Sequence, residues 1–91
     1  MFITIHANAE IASNSLRQHQ ENIDVDMNDT IDTVKVKVTL VYTQLDPESF
    51  YLEFEGRRCM DTDTILALRK RATGQSMNFY IRNNSGCCEV M

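Results

Sequence analysis

The residues best suited to covalent chemistry lie at the end of the sequence, in Cys87-Cys88-Glu89-Val90-Met91. The last four residues fit the C-a-a-X pattern for prenylation of a cysteine, and methionine in the final position favours a farnesyl group. Val90 suits this pattern, whereas Glu89 suits it poorly. One prenyl chain anchors a protein only marginally, so Cys87 is the candidate for a second lipid. Cys88 and Cys87 are therefore candidate lipidation sites, and the alternative is an ordinary tail without lipid.

The remaining reactive side chains form no recognisable catalytic or metal-binding pattern. His6 and His19 have no partner at the spacing of metal ligands, and the three cysteines do not form a zinc pattern. The sequence contains no nucleophile elbow, no phosphate-binding glycine loop and no credible Cys–His pair. We therefore expect no enzyme activity, no cofactor and no metal site. Cys59 is interpreted as a small buried apolar group.

Charge is distributed unevenly along the chain. Residues 1–56 carry ten acidic side chains against three basic ones, a balance of −7, whereas residues 57–91 carry six basic against three acidic, a balance of +3. Arg57, Arg58 and Arg69–Arg71 form a basic cluster that suits an acidic partner or an anionic membrane surface. The alternative is a solvated surface of locally mixed charge. Nucleic-acid binding is not expected, because no basic stripe with interleaved aromatic residues is present.

The length of 91 residues indicates a single domain, and its hydrophobic patterns predict a mixture of strands and helices. Strands are predicted at residues 1–6, 21–27, 50–55 and 77–82, with Met1, Ile3, Ile5, Ile23, Val25, Met27, Phe50, Leu52, Phe54, Met77, Phe79 and Ile81 facing inward. Residues 7–20 are predicted to be a long, mobile connection, and a short helix capped by Asp63 or Thr64 is predicted to carry Ile65, Leu66 and Leu68. The three cysteines and the lack of a secretion signal favour a reducing compartment, nuclear or cytoplasmic.

The segment that begins at residue 31 is consistent with two structures. Val34-Lys35-Val36-Lys37-Val38 alternates and is β-branched, which favours a strand. Apolar residues also recur at spacings of three and four, from Ile31 to Leu45, which favours one face of a helix. Asp29 or Thr30 can cap that helix, and Asp46-Pro47 can end it. The residues alone leave both possibilities open.

Two segments, Asp29–Lys35 and Phe54–Ile65, resemble in order and spacing the matching segments of the ubiquitin-like family, and both align without a gap. The resemblance covers about residues 1–86 and implies an α+β fold, the ubiquitin-like β-grasp, in which a mixed sheet packs on one main helix. It therefore favours the helix at residue 31 and leaves residues 87–91 as a short tail. Proteins of this family are bound or attached and are rarely catalysts. The segments Phe54–Arg58 and Asp61–Thr64 look most similar to the small ubiquitin-like modifier (SUMO) branch.

The resemblance also implies where partners would bind. Tyr51 and Tyr80 are predicted on the outer sheet face, where exposed aromatic residues can anchor a partner; the alternative is cross-strand packing, which explains them equally well. Glu53 stands where ubiquitin has the exposed isoleucine of its main binding surface. A carboxylate there would be an unpaired, desolvated charge in an apolar contact, so ordinary ubiquitin-binding domains are not expected to bind. Arg57 stands at the place of ubiquitin's usual chain-building lysine, which excludes chain formation through that position.

SUMO proteins bind short peptides by strand addition between the second strand and the helix. The corresponding residues here are Ile23 and Val25 on the strand, with Lys35 and Lys37 on the helix. Asp24 and Asp26 replace basic residues of SUMO, so a neutral or basic peptide is expected rather than an acidic one.

Modifiers of this family expose a terminal Gly-Gly, which this sequence lacks. Gly86 is the candidate attachment point if residues 87–91 are removed, and the alternative is an ordinary tail glycine. Lipidation of Cys88 would exclude that exposure of Gly86. The tail is also similar to that of membrane-anchored ubiquitin-fold proteins, which end in a prenylated cysteine. The expected partners are conjugation-pathway enzymes or strand-adding peptides, with a membrane involved only after lipidation. The protein is expected to be a monomer.

Overall fold

The computed structural model describes residues 1–14 and 17–83. Their elements are, in chain order, β1 (Phe2–His6), α1 (Ala9–Asn14), β2 (Gln20–Asp24), α2 (Ile31–Val41), β3 (Phe50–Phe54), β4 (Arg57–Arg58), α3 (Ile65–Arg71) and β5 (Asn78–Asn83). The predicted domain boundary at residue 86 lies outside the described residues. No helix within residues 1–14 and 17–83 has the length and apolar character needed to cross a membrane.

The five strands form one mixed sheet in the order β2-β1-β5-β3-β4. β1 and β5 are parallel neighbours at its centre, while β2, β3 and β4 pair with their neighbours in antiparallel fashion. One face of the sheet packs against α2, and the other faces outward. The predicted α+β class and the ubiquitin-like β-grasp arrangement are confirmed.

Alternation along the strands separates the two faces of the sheet. Ile3 and Ile5 of β1 are buried, and so are alternate residues of β3 and β5. These are Phe50, Leu52 and Phe54 in β3, Phe79 and Ile81 in β5, and Met77 just before β5. The stacked rings of Phe54 and Phe79, with centroids 4.8 Å apart, form part of this core. Met1, which was predicted to face inward, is instead exposed.

The ambiguous segment at residue 31 is helical. Ile31, Val34 and Val38 are fully buried, whereas Val36 is 50% exposed. A strand would have placed Val34, Val36 and Val38 on the same face, and the burial pattern follows the helical spacing of three and four instead. The helix ends at Val41, before Leu45, and the partly buried Leu45 still packs against the core.

Two Asp-Thr-Ile sequences begin α2 and α3 and bind each other. Thr30 and Thr64 are the N-caps, and each side-chain oxygen accepts a hydrogen bond from the third residue of its own helix. The Ile31 N–H donates to the Asp63 carbonyl at 2.8 Å, and the Ile65 N–H donates to the Asp29 carbonyl at 2.9 Å. These bonds fix the start of both helices relative to each other.

The connection between β1 and β2 is more ordered than the sequence indicated. Residues 9–14 form α1, whose first turn is capped by Asn8, since the Asn8 side-chain oxygen accepts from the Ile11 N–H at 2.8 Å. Ala12 is buried, and the Tyr42 hydroxyl donates to the Gln18 carbonyl at 2.9 Å. The predicted mobile connection is therefore wrong for the part that forms α1.

The turn between β3 and β4 positions two arginines at the edge of the sheet. Glu55 and Gly56 both have positive φ, 52° and 81°, which is the signature of a type I′ hairpin turn. Glycine adopts this conformation without strain. Arg57 and Arg58 then pair with Phe54 and Glu53, a short strand that the sequence did not predict.

Candidate protein-binding surfaces

The face of the sheet turned away from α2 carries aromatic and charged side chains. We refer to it as the outer face, and its central residues are His6, Tyr51, Glu53, Arg58, Tyr80 and Arg82. Tyr51, Glu53 and Tyr80 were predicted from the sequence to be binding residues. The register of the strands places them close together on this face. Tyr80 pairs with His6 on one side and Glu53 on the other, and Tyr51 pairs with Arg82.

Tyr80 lies at the centre of the outer face and is 40% exposed. Its ring stacks on the His6 ring, with centroids 4.4 Å apart and an angle of 14° between the planes. The Arg82 guanidinium lies 5.4 Å from the Tyr80 centroid, within the range of a cation–π contact. His6 is held in turn by Asn78, with 2.9 Å between Nε2 and Oδ1. Tyr80 is therefore fixed in a defined position while its surface stays accessible.

Glu53 is paired within the same face. Two nitrogens of Arg82 donate to Glu53 Oε1, Nη2 at 3.0 Å and Nε at 3.3 Å. The Glu53 side chain retains 24% of its exposure and that of Arg82 50%. The expectation of an unpaired carboxylate at this position is therefore wrong, because the charge of Glu53 is compensated before any partner arrives.

A second aromatic–cation contact lies at the β4 side of the outer face. The Arg58 guanidinium lies 4.6 Å from the centroid of the Tyr51 ring, closer than Arg82 lies to Tyr80. Arg57 pairs with the inward-facing Phe54, so alternation places it on the opposite side of β4 from Arg58. The predicted binding residue Arg57 thus does not join the outer face.

The predicted strand-addition site lies at β2, which is an edge strand of the sheet. Ile23 and Val25 are buried in the core, so their side chains are not available to a peptide. The Val25 N–H donates to the Met1 carbonyl and the His19 carbonyl accepts from the Ala7 N–H, just outside the two ends of β1. The alternation of an antiparallel pair therefore turns the backbone groups of Gln20, Asn22 and Asp24 outward. These outward groups are the ones that an added strand would contact.

The two helix lysines have different positions relative to this edge. Lys37 Nζ donates to the Asp24 carbonyl at 3.2 Å and to Asp29 Oδ2 at 2.8 Å. It therefore already occupies one outward acceptor of β2. Lys35 points elsewhere, since its Nζ lies 3.5 Å from Asp61 Oδ1 and 5.4 Å from the Phe50 centroid.

Asp29 is the acceptor at the centre of this network. The backbone N–H of Asp26 donates to Asp29 Oδ2 at 3.0 Å. That bond, followed by the hydrogen bond from Lys37, lowers the pKa of Asp29. The hollow beside Lys37 is lined by Met1, Asp24 and Asp26 as well, and the Met1 α-amino group lies 3.2 Å from Asp24 Oδ1. Two cations therefore balance the two carboxylates that line it.

The side chains relevant to catalysis and metal binding include Cys59 and the potential metal ligands among residues 1–14 and 17–83. Cys59 is 5% exposed, and burial, with a smaller contribution from Asp63, raises the pKa of its thiol to about 12. The thiolate, which is the reactive form, is therefore scarce at neutral pH. Within residues 1–14 and 17–83, no three histidine, cysteine or acidic side chains are grouped as a metal site requires. Gly86, Cys87 and Cys88 lie outside the described residues.

His6 and Arg82 belong to the outer face but were not predicted there from the sequence. The signal for Arg82 was present, because the alternation that turns Tyr80 outward also turns Arg82 outward. The signal for His6 was not local. His6 is separated from Tyr80 along most of the chain, and only the parallel pairing of β1 with β5 brings them together.

Comparison with known proteins identifies the fold and leaves the function open. No protein-family model matches the chain, and no curated protein matches it. The fold is shared with 231 solved chains, so it is too common to specify an activity. One of them, ubiquitin from Caldiarchaeum subterraneum, is 23% identical over 92% of each chain, with a TM-score of 0.69.

Proposed function

We propose that this protein is a non-catalytic ubiquitin-like protein that acts through protein–protein recognition, as a divergent modifier or adaptor of SUMO type. It is a monomer of the nucleus or cytoplasm. The observation that carries the proposal is the outer face, where Tyr80 and Tyr51 are held in place by His6, Arg82 and Arg58. The ubiquitin-like fold supports the same interpretation, since such a domain presents one sheet face to its partners.

The chemistry of the outer face suits a protein partner. Tyrosine and arginine are the residue types that contribute most at protein interfaces, and rigid aromatic side chains lose little entropy on binding. The ring and ion-pair contacts of Tyr80 and Arg82 order these side chains before a partner arrives. A partner would gain most by covering the two tyrosine rings and by accepting hydrogen bonds from Arg58.

Affinity purification with matched variants tests this proposal. Tagged wild-type protein, a Tyr51→Ser/Tyr80→Ser variant and a Val36→Ser/Leu40→Ser variant would be recovered from the native cells and their bound proteins quantified. Val36 and Leu40 are exposed apolar residues of α2, 50% and 70% exposed, on the other side of the sheet. The outer-face variant should lose the partners that the control keeps. Equal retention by both variants would contradict a role for the outer face.

The tail suggests two competing modes of attachment. Under the modifier proposal Gly86 forms the isopeptide bond after removal of residues 87–91. The competing proposal, favoured by the Cys88-Glu89-Val90-Met91 pattern, is an adaptor that is prenylated at Cys88, with Cys87 as a second lipid site, and recruits enzymes to a membrane. Deletion of Gly86 should abolish high-mass adducts only in the first case. Cys88→Ser should shift the protein from the membrane to the soluble fraction only in the second.

A further inference from the structure

A second charged surface lies at the opposite edge of the sheet from β2. A hollow opens between β4, the end of α3 and the residues after α3, and we call it the basic hollow. It is lined by Phe54, Glu55, Arg57, Arg58, Cys59, Leu68, Arg71 and Thr73. Arg57, Arg58 and Arg71 are exposed and provide its positive charge, while buried Phe54, Cys59 and Leu68 contribute apolar atoms.

The cations around the basic hollow have no acidic partner among the described residues. The ion pairs found within residues 1–14 and 17–83 use the Met1 α-amino group, Lys35, Lys37 and Arg82, and none uses Arg57, Arg58 or the Arg69–Arg71 segment. Three of the nine lysines and arginines of the chain thus line the hollow, and Arg69 and Lys70 precede Arg71 in the last turn of α3. In a protein with a net charge of −4, this arrangement leaves a local positive field at one edge.

One carboxylate, that of Glu55, also lines the basic hollow. Glu55 Oε2 accepts from the Thr73 N–H at 2.9 Å and from the Thr73 hydroxyl at 3.0 Å. These bonds fix Glu55 to the segment after α3, and its single charge leaves the three arginines of the lining in excess. Cations at the C-terminal end of α3 are favoured by the helix dipole, which explains Arg69–Arg71. Arg58 is accounted for by its contact with the Tyr51 ring, whereas Arg57 on the same strand has no such contact among the described residues.

We propose that the basic hollow binds a short acidic segment of a partner protein. Carboxylates of that segment would pair with Arg57 and Arg71, and its apolar atoms would contact Phe54, Cys59 and Leu68. Guanidinium groups bind carboxylates through two parallel hydrogen bonds, which gives such a site both strength and direction. The site is separate from the two tyrosines of the outer face, although Arg58 lies at the border between the basic hollow and the outer face.

A peptide suits the basic hollow better than a nucleic acid or a membrane. A nucleic-acid strand requires a positive track that follows its backbone, whereas Glu55 lines this hollow and Asp61 and Asp63 follow β4 in the chain. A membrane presents a broad anionic surface, whereas the arginines here line a recess. A compact site with cations on two elements matches a few neighbouring carboxylates.

Nuclear magnetic resonance titration of the full chain tests the proposal directly. The probe is a tetraglutamate peptide flanked by glycine and serine, and the matched peptide has glutamine in place of glutamate. At about 0.15 M ionic strength, the glutamate peptide should shift the amide signals of Arg57, Arg71 and Thr73 more than those of Gln20 or Asn22. The glutamine peptide should not. Absence of glutamate-peptide binding at about 1 mM would overturn the proposal.

Charge-matched variants separate a site from a general effect of net charge. Arg57→Glu and Arg71→Glu should each weaken binding at least about fivefold, while Arg17→Glu, which changes the net charge equally, should change it less than about twofold. Equal weakening by Arg17→Glu would overturn the proposal. Tighter binding at this hollow of a short single-stranded DNA or of phosphatidylserine vesicles would show that the partner class is wrong. Unchanged amide spectra would establish that the variants are folded.

Discussion

On the outer face, the Glu53–Arg82 ion pair and the Tyr80 ring share one guanidinium. Arg82 bonds Glu53 at 3.0 Å and also lies 5.4 Å from the Tyr80 centroid. A ubiquitin-binding domain that covered this face would have to desolvate the pair, which costs free energy even when the charges are compensated. Ordinary ubiquitin-binding domains are therefore still predicted not to bind, because they would have to desolvate the Glu53–Arg82 pair.

We expect Arg82→Gln to lower the free energy of unfolding by no more than about 1 kcal/mol, because partly exposed ion pairs contribute little. A double-mutant cycle with Glu53→Gln, followed by urea unfolding, measures the coupling between the two side chains. The coupling should be favourable and should decrease with added salt. A coupling near zero would mean that the pair does not hold Arg82 over Tyr80.

Cys59 is expected to be unreactive in the native protein. Burial, with a smaller contribution from Asp63, raises the pKa of its thiol to about 12, and it is 5% exposed. Iodoacetamide at about pH 8 should therefore leave Cys59 unlabelled in the folded chain and label it in urea. Peptide mapping by mass spectrometry resolves Cys59 from Cys87 and Cys88. Rapid labelling of Cys59 in the folded protein would contradict the buried position.

At the scale of single elements, α2 shows what local pattern cannot decide. Alternation and helical spacing both describe residues 34–38, and the contacts of Ile31 and Val38 with the sheet select the helix. Val36 is exposed as a result, because the helix turns it away from the buried face of Val34 and Val38. The family resemblance at Asp29–Lys35 predicted the helix correctly because it carries information about those distant contacts.

The short elements were harder to predict for physical reasons. α1 has six residues and little apolar periodicity, so it depends on the Asn8 cap and the burial of Ala12 rather than on a pattern. β4 has two residues and follows from the Glu55–Gly56 turn geometry. Of the predicted site, the Tyr51, Glu53 and Tyr80 neighbourhood was accessible from alternation, whereas the separation of Lys35 from Lys37 required the side-chain partners.

The loop that leads into α2 should make stability depend on pH. A bond from the Asp26 N–H and another from Lys37 lower the pKa of Asp29. A carboxyl with a lowered folded-state pKa stabilises the protein above its unfolded value of about 3.9, and that contribution is lost as pH falls through the folded-state pKa. Asp29→Asn should therefore destabilise the protein at pH 7, by up to about 1 kcal/mol, and the difference should shrink in acid.

Urea unfolding of both proteins from neutral to acidic pH measures this effect. In a Lys37→Gln background part of the difference should remain, because the Asp26 N–H still donates to Asp29. A difference between wild type and Asp29→Asn that is constant with pH would contradict the assigned role of the Asp29 carboxylate.

In the whole molecule, a face rich in aromatic groups lies between a basic edge at β4 and an edge of mixed charge at β2. Asp24 and Asp26 lie by the β2 edge, Arg57 and Arg58 form β4, and Tyr80 lies on the outer face between them. The uneven charge along the sequence predicted the basic cluster of Arg57, Arg58 and Arg69–Arg71, but only the strand order β2-β1-β5-β3-β4 places Arg57 and Arg58 at the edge opposite β2. The β-grasp arrangement itself was predictable, because two gapless segments resemble a known family.

Photo-crosslinking from the outer face tests directly whether this face recognises proteins. Benzoylphenylalanine would replace Tyr80 in one variant and Leu40, which is 70% exposed on α2, in a matched control, and both would be irradiated in the native cells. If the outer face recognises proteins, the Tyr80 variant will give discrete crosslinked species that are absent from the Leu40 control. Crosslinks that are absent at Tyr80, or equal at the two positions, would contradict recognition through the outer face.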